Sequence, residues 1–130
     1  MFLPRMHEYY FLITSLVESI DKYANTASVY GAFLKKLKRT AQNNLILKPA
    51  ELIINDQDHE VFNEDINKVA GKIVGDILYL DPPYNQRQYA TNYHMLETIA
   101  KYDNPKIHGK TGLREYQDQK ALYCKRSQIK

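Results

Sequence analysis

Apolar residues recur at three- and four-residue spacing in the first part of the chain, where polar residues occupy the positions between them. This spacing predicts a helix from about Glu8 to Tyr23. One face of that helix consists of Tyr9, Leu12, Ile13, Leu16, Val17 and Ile20. Asn25 and Thr26 interrupt the pattern. The spacing then continues at Val29, Tyr30, Phe33, Leu34 and Leu37, so the simplest interpretation of residues 1–44 is a helical segment with two helices.

The middle of the chain alternates short apolar runs with one further helical pattern. Residues 45–47 and 52–54 are short apolar runs, which predict short strands. The spacing of Ile66, Val69, Ala70 and Ile73 predicts a helix that ends at Gly75, and residues 77–80 then form a run typical of a buried strand. Strand, helix and strand follow one another as in a parallel α/β unit, so we expect an α/β fold.

The last part of the chain has one more helical pattern and then a loop. Tyr93, Leu96, Ile99 and Ala100 predict a helix, and the prolines and glycines of residues 104–112 predict the loop. A doubly wound domain needs several more strands than this pattern supplies. The chain is therefore expected to be either a small, unusual fold or a fragment of a larger domain.

Composition narrows the function little. The 130 residues are 44% apolar and 25% charged, as in an ordinary globular domain, and no run approaches the roughly 18 apolar residues of a membrane span. Without a secretory signal either, the expected location is cytoplasmic. A net charge of +3 permits a polyanionic partner but does not require one. The single cysteine, Cys124, has no partner for a disulfide or a zinc site, and we interpret it as structural.

The residues Asp81, Pro82, Pro83 and Tyr84 follow the predicted strand 77–80, where ligands bind in open parallel sheets. They suit the methylation of an exocyclic base amine. Its lone pair is delocalised, and acceptors at the Asp81 carboxylate and the Pro82 carbonyl can stabilise the charge that develops on nitrogen. Tyr84 can stack on a base rotated out of the duplex, and no metal is needed. The alternative is a turn that merely ends a strand.

Residues 75–85, with 87–89 and 92–100 behind them, resemble adenine-specific (N6) DNA methyltransferases of the Dam-like class associated with restriction-modification systems. The likeness extends back to residues 8–12 and 25–35. It implies a Rossmann-like sheet, S-adenosyl-L-methionine as methyl donor, adenine N6 as acceptor, and Asp81 to Tyr84 as the catalytic loop. It also implies that Asp65 contacts the adenine ring of the cofactor, whereas a plain helix cap is the alternative for this residue.

The sequence departs from the family upstream of this loop, because the glycine-rich turn that cradles the cofactor and the acidic residue for its ribose are both absent. We therefore expect an internal fragment, with residues 45–130 as a partial catalytic domain and residues 1–44 belonging to the DNA-recognition region. Its expected partners are double-stranded DNA with a flipped adenine and the missing parts of the same enzyme.

Basic and polar residues supply candidate contacts to that DNA. Lys35 and Lys36 lie in a basic group, and Arg87 and Gln88 flank the loop. For the lysines, a solvated helix end is the alternative. A nucleic-acid-binding module that has lost catalysis is the second functional hypothesis, and methylation of RNA or protein glutamine is a weaker third.

Overall fold

The computed structural model describes residues 5–27, 29–83 and 86–124. Their contacts divide the chain into two compact units: unit 1 comprises Met1–Glu51 and Pro82–Lys130, and unit 2 comprises Leu52–Asp81. The boundary predicted at residue 44, between a DNA-recognition segment and a partial catalytic domain, stays a prediction.

Unit 1 contains the longest helix, α1, which spans Met6–Tyr23 as the apolar spacing predicts. At its start the Glu8 carboxylate accepts the backbone N–H of Arg5 at 2.8 Å, which satisfies one donor that the first turn would leave unpaired. The most buried residues of α1 are Ser15 and Ser19, while Tyr9 and Leu12 of the predicted apolar face remain 39% and 49% exposed. The helix prediction is thus confirmed, but its deepest contacts are polar.

The second predicted helix, over residues 29–37, is wrong, because the described residues between 25 and 39 form turns and bends. The Asn25 side chain forms two hydrogen bonds with this backbone. Its Nδ2 donates to the Leu34 carbonyl at 2.9 Å, and its Oδ1 accepts the N–H of Lys38 at 3.0 Å. Tyr30 directs its own N–H to the Asn92 carbonyl at 2.6 Å. Tertiary hydrogen bonds have here replaced the local ones that a helix requires.

The second half of unit 1 consists of short elements. The first half of unit 1 also contains a 3-10 turn at Thr40–Gln42. The second half begins with two helices, α3 at Tyr89–Asn92 and α4 at His94–Lys101. A two-stranded antiparallel hairpin follows, with β1 at Ile107–His108 and β2 at Leu113–Arg114. Two more 3-10 turns lie at Gln117–Gln119 and Leu122–Cys124. Helix α4 confirms the prediction from the spacing of Tyr93 to Ala100, and Gly109 and Gly112, both at φ +68°, supply the left-handed backbone of the hairpin loop.

The core of unit 1 lies where α1, α4 and the hairpin meet. Tyr30 and Ala50 are its buried apolar residues, at 7% and 8% exposed, and His94 and Arg114 are buried beside α4. The Tyr9 hydroxyl donates to the Ala100 carbonyl of α4 at 3.3 Å. None of the helices in the described residues is long and apolar enough to cross a membrane.

Unit 2 has one short helix, α2 at Ile66–Val69, and Val69 is its buried apolar residue at 4% exposed. The helix ends well before Gly75, so the longer helix expected there is shortened to a single turn. Asp65 caps it by accepting the backbone N–H of Asn67 at 3.0 Å.

The strands predicted at residues 45–47, 52–54 and 77–80 are wrong for this structure, in which the described residues form no parallel sheet. Ile53 and Ile54 are each 90% exposed, and Ile77 is 91% exposed. A strand needs a neighbour to accept and donate its backbone hydrogen bonds and to cover its apolar side chains. The described residues give these runs no such neighbour, so the apolar pattern is present without the sheet.

Candidate active site

The motif of Asp81, Pro82, Pro83 and Tyr84 crosses the boundary between the two units, because Asp81 ends unit 2 and Pro82 begins the second part of unit 1. Asp81 and Pro82 are exposed, and Pro83 is buried. Tyr84 lies outside the described residues. An exposed carboxylate next to two prolines, each of which restricts its own φ, presents an acceptor on a stiff backbone.

Directly after the motif, Gln88 joins this part of the chain to residues near the end of unit 1. Its side-chain Nε2 donates to the Ala121 carbonyl at 3.2 Å, and its Oε1 accepts the Ala121 N–H at 2.7 Å. The Cys124 sulfur lies 3.9 Å from the carbonyl oxygen of Pro83 and 3.8 Å from that of Arg87. The turn Leu122–Cys124 therefore contacts both Pro83 and Arg87.

His94 connects the helices behind the motif to the hairpin. The side chain is fully buried, at 0% exposed, and its two ring nitrogens lie 2.9 Å from the carbonyl oxygens of Thr91 and Thr111. The Thr91 hydroxyl in turn donates to the Gln88 carbonyl at 2.8 Å. This chain of contacts ties the start of α3, the start of α4 and the hairpin loop into one unit.

A cavity of about 290 Å³ lies beside Arg87, and its lining includes Gly31, Asn92 and Thr111. It brings residues of the 25–35 and 87–100 runs together, although these runs are far apart in the sequence. A Cβ at Gly31 would lie 3.5 Å from the Thr91 carbonyl oxygen, an ordinary contact distance. A Cβ at this position would therefore not clash with Thr91, which also lines the cavity.

The other predicted site residues are spread over both units. Lys35 and Lys36 are exposed in unit 1, on a segment that is not helical, so the alternative of a helix end does not apply to them. Asp65 belongs to unit 2 and caps α2. The Asn67 backbone N–H, which donates to its carboxylate, holds the pKa of Asp65 below its ordinary value. The cap predicted as the alternative for Asp65 is present, and nothing in the cap excludes a second role for this carboxylate.

The described residues do not form a cradle for S-adenosylmethionine. Such a cradle needs a glycine where a side chain would obstruct the ligand or the backbone. A Cβ at Gly71 would meet no atom within 4 Å, and one at Gly75 would meet the Ile77 carbonyl only at 3.9 Å. Within the described ranges, no group of three or more histidine, cysteine, aspartate or glutamate side chains is arranged to hold a metal.

Sequence reasoning missed the residues that organise the surroundings of the motif. Asn25, directly after α1, was interpreted only as an interruption, although asparagine is typical of side-chain bonds to nearby backbone. For His94 and Cys124 the contacts that join separate segments gave no local signal, because Thr111 lies 17 residues from His94 and Pro83 lies 41 residues from Cys124.

Comparison with known proteins decides the family. Residues 3–129 match the sequence model described as D12 class N6 adenine-specific DNA methyltransferase. The chain belongs to this family. The resemblance expected from residues 75–100 is thereby confirmed.

Curated relatives of this methyltransferase chain are enzymes of restriction-modification systems. The chain is 55% identical over 121 residues to the type II methyltransferase M.NlaIII of Neisseria lactamica. This alignment covers 93% of this chain and 36% of that protein. It is 45% identical to M.FokI of Planomicrobium okeanokoites, covering 94% of this chain and 19% of that enzyme. For M.CviAII of Paramecium bursaria Chlorella virus 1 the identity is 42%, and the coverage is 94% and 36%. No solved structure matches the chain.

The chain thus spans between about a fifth and about a third of the length of these relatives. The matched part includes the Asp81 motif and both runs that line the 290 Å³ cavity.

Proposed function

We propose that this chain is the adenine-binding portion of an enzyme that methylates N6 of adenine in double-stranded DNA within a restriction-modification system. The observation that carries the proposal is the family match over residues 3–129, which contains an uninterrupted Asp81-Pro82-Pro83-Tyr84 motif. The donor would be S-adenosyl-L-methionine, which supplies an electrophilic methyl group.

Asp81 and Pro82 have the central role in this mechanism. The Asp81 carboxylate would accept one N–H of the adenine amine, and the Pro82 carbonyl would accept the other. Both acceptors would meet the positive charge that grows on N6 as its lone pair bonds the methyl carbon, while the donor leaves as an uncharged thioether and N6 loses one proton. The exposure of Asp81 and Pro82 is compatible with access by a base, and the fixed φ of Pro82 and Pro83 keeps the cost of orienting the loop low.

Tyr84 would stack on the flipped adenine and offset part of the cost of unstacking it from the duplex. Because a phenyl ring presents the same stacking face, we expect Tyr84→Phe to retain most methyl transfer and Tyr84→Ala to lose most of it. The role of Pro83 is to fix the backbone between these two groups.

Asp65 is the one residue that we propose for the cofactor, as an acceptor near its adenine ring. The remaining contacts would come from parts of the enzyme that this chain does not contain, since the described glycines form no cradle. We propose that these parts also supply the Rossmann-like strands that would pair with residues 77–80, whose side chains are between 62% and 91% exposed. Pairing would satisfy their backbone and bury their apolar side chains.

Arg87, Gln88, Lys35 and Lys36 are the proposed DNA contacts. The three basic residues are exposed in unit 1, as contacts to phosphate require. If Arg87 neutralises one phosphate, Arg87→Ala should lower the slope of log K against log salt by about 0.9. Lys110→Ala, which also removes an exposed positive charge, is the matched control. An unchanged slope for Arg87→Ala would exclude a phosphate contact at that residue.

The deciding experiment replaces the matching segment of the Neisseria lactamica methyltransferase with this chain and measures tritiated methyl transfer to unmethylated DNA. Nucleoside mass spectrometry then identifies the product. We expect N6-methyladenine from this chimera, and loss of at least about a hundredfold in rate for Asp81→Ala. Asp58→Ala, an exposed aspartate of the same unit, is the control. A folded chimera that transfers no methyl group would contradict the proposal.

A nucleic-acid-binding module without catalysis is the second candidate, and the missing glycine cradle favours it. The two candidates differ in what the chimera does with the cofactor. Binding of DNA with neither affinity for S-adenosylmethionine nor methyl transfer would favour the module, whereas transfer that depends on Asp81 would exclude it.

A further inference from the structure

We propose that residues 121–124 form a brace against Pro83 and Arg87 and that Gln88, which holds this brace by hydrogen bonds to Ala121, is a positioning residue for the methyl-transfer reaction. The inference rests on the proposed function for its catalytic consequence. Its structural part, the pairing of Gln88 with Ala121, can be tested without measuring methyl transfer.

The Gln88 side chain pairs with the backbone of a single distant residue. A primary amide presents one acceptor and one donor side by side, and the backbone of a single residue can meet both. Gln88 uses both groups on Ala121, at 2.7 Å and 3.2 Å, across 33 residues of sequence. The side chain is half-buried, which limits competition from water. This pairing fixes the position of residue 121 relative to the start of α3.

The turn that follows Ala121 contacts the backbone on both sides of residues 84–85. The Cys124 sulfur lies within 4 Å of the carbonyl oxygens of Pro83 and Arg87. A thiol carries one weak donor and cannot satisfy both oxygens at once, so this contact acts mainly by filling space. Pro83 is buried at this point. The turn thus contacts both Pro83 and Arg87, while the hydrogen bonds of Gln88 fix the position of the turn.

The consequence concerns the Pro82 carbonyl, which belongs to the peptide bond that joins Pro82 to Pro83. Because that peptide is planar, a shift of Pro83 also rotates the carbonyl of Pro82. A displacement of about 1 Å at an aligned group can reduce a rate by about a hundredfold. Loss of the brace would therefore misplace an acceptor of the adenine amine without removing it.

The role does not compete with a DNA contact by the same residue. The Gln88 amide has a second N–H and its oxygen a second lone pair, both beyond those used by Ala121. Gln88 can hold the brace and still reach a phosphate or a base edge.

The structural test measures the reactivity of Cys124 with a disulfide reagent such as 5,5′-dithiobis(2-nitrobenzoate). Cys124 is the single cysteine in the chain, so the signal reports this turn alone. Gln88→Met keeps the length of the side chain and removes the amide. Because two hydrogen bonds of about 1 kcal/mol each are lost, the turn should open more often and the labelling rate should rise about tenfold or more.

Two further variants make the result specific. Gln88→Glu retains the acceptor for the Ala121 N–H but places a second carboxylate oxygen where Nε2 donates to the Ala121 carbonyl, so its labelling rate should also rise above that of the wild type. Gln42→Met makes the same substitution at an exposed glutamine of the turn Thr40–Gln42 and should leave the rate unchanged. Equal labelling rates in the wild type, Gln88→Met and Gln88→Glu would overturn the brace. If Gln88→Met does not fold, the comparison of Gln88→Glu with the wild type decides.

The catalytic consequence is tested in the chimera with the Neisseria lactamica enzyme. Gln88→Met should lower kcat by about tenfold to a hundredfold, in addition to any rise in the KM for DNA that follows from loss of its proposed DNA contact, and Gln88→Glu should also lower kcat. Equal kcat in all three forms would refute the positioning role. A chimera that is inactive with Gln88 intact refutes the proposed function instead, and the labelling rates still decide whether the brace exists.

Discussion

The Ser15 hydroxyl accepts the backbone N–H of Ala50 at 2.9 Å and donates to the Phe11 carbonyl at 2.7 Å. One helical turn later, Ser19 accepts the N–H of Lys48 at 2.9 Å. Four residues of α-helix rise about 6 Å, close to the roughly 6.6 Å between alternate residues of an extended chain. Pro49, between the two bonded residues, has no N–H that needs a partner. Two serines thus fasten an extended segment along α1.

We expect Ser15→Ala to lower the free energy of unfolding by about 1–3 kcal/mol. The substitution leaves the Ala50 N–H without its partner, and Ala50 is only 8% exposed. Urea unfolding followed by circular dichroism measures the change.

Thr14→Ala is the matched control for Ser15→Ala. Thr14 also bonds a carbonyl of its own helix, that of Tyr10 at 2.8 Å, but it is exposed and holds no other segment. Its effect should stay within about 0.5 kcal/mol. Equal effects of the two substitutions would show that the bond between Ser15 and Ala50 does not stabilise unit 1.

The elements that could be predicted from the sequence are those whose stabilising contacts are local. Helices α1 and α4 follow their apolar spacing, and the Asp65 cap follows from its place before Ile66. The segment after Asn25 could not be predicted this way, because its backbone bonds to Asn25 and to Asn92 rather than to itself. The spacing of apolar residues does not show whether a backbone will bond to distant side chains and carbonyls instead of to its own helix.

The predicted strands failed for a different reason. The run 77–80 has the composition of a buried strand, but a strand exists only with a neighbour, and the described residues supply none. For the candidate site, the sequence identified the motif and the flanking Arg87 and Gln88. It could not identify Ala121 and Cys124, which meet the motif only through the tertiary fold.

Tyr30 leads to a prediction for alkaline pH. Burial raises the pKa of its hydroxyl to about 12, and the hydrogen bond to Asp21 at 3.0 Å and the charge of that carboxylate add to the effect. The unfolded chain releases this proton near pH 10. The stabilisation by neutral Tyr30 is therefore complete below about pH 10 and is lost as the pH rises through about 12.

Tyr30→Phe should cost roughly 1 kcal/mol at pH 8, because the hydroxyl bond is lost, and the variant should lose less stability than the wild type between pH 10 and 12. Urea unfolding midpoints at pH 8, 10 and 11.5 measure the difference in stability between the wild type and Tyr30→Phe, which should become smaller as the pH rises. Tyr10→Phe, at a ring that is 60% exposed, should change little at any pH. A gap that widens between pH 10 and 12 would contradict the assignment.

Asp103 leads to the opposite prediction, for acid pH. The Arg114 guanidinium, which donates to both carboxylate oxygens, holds the pKa of Asp103 below its ordinary value. A lowered pKa in the folded state contributes stability above about pH 4, and this contribution is lost as the pH falls through the lowered value.

Asp103→Asn should therefore be less stable than the wild type at pH 7, because Arg114, at 8% exposed, loses its charged partner. The difference should shrink as the pH falls from 4 to 2.5. Thermal unfolding at pH 7, 4 and 2.5 measures it, with the exposed Asp118→Asn as control. A difference that is the same at all three pH values would exclude the ion pair as its cause.

Tyr102, at the end of α4, is in the left-handed region with φ 48° and ψ 39°, and its ring is 90% exposed. A non-glycine residue there carries a steric cost of about 1–2 kcal/mol. The exposed ring offers little packing in return. Tyr102→Gly removes the steric cost and keeps the N–H that bonds the Thr98 carbonyl at 2.9 Å.

We expect Tyr102→Gly to raise the free energy of unfolding by about 0.5–1 kcal/mol, since the greater freedom of glycine in the unfolded chain cancels part of the gain. Asn104→Gly is the control, because Asn104 has a φ of 46° but asparagine tolerates this region. Its gain should be smaller. If Tyr102→Gly lowers the free energy of unfolding in urea, the tyrosine side chain stabilises unit 1 by more than its backbone strain costs. The left-handed conformation of Tyr102 would then not limit the stability of α4.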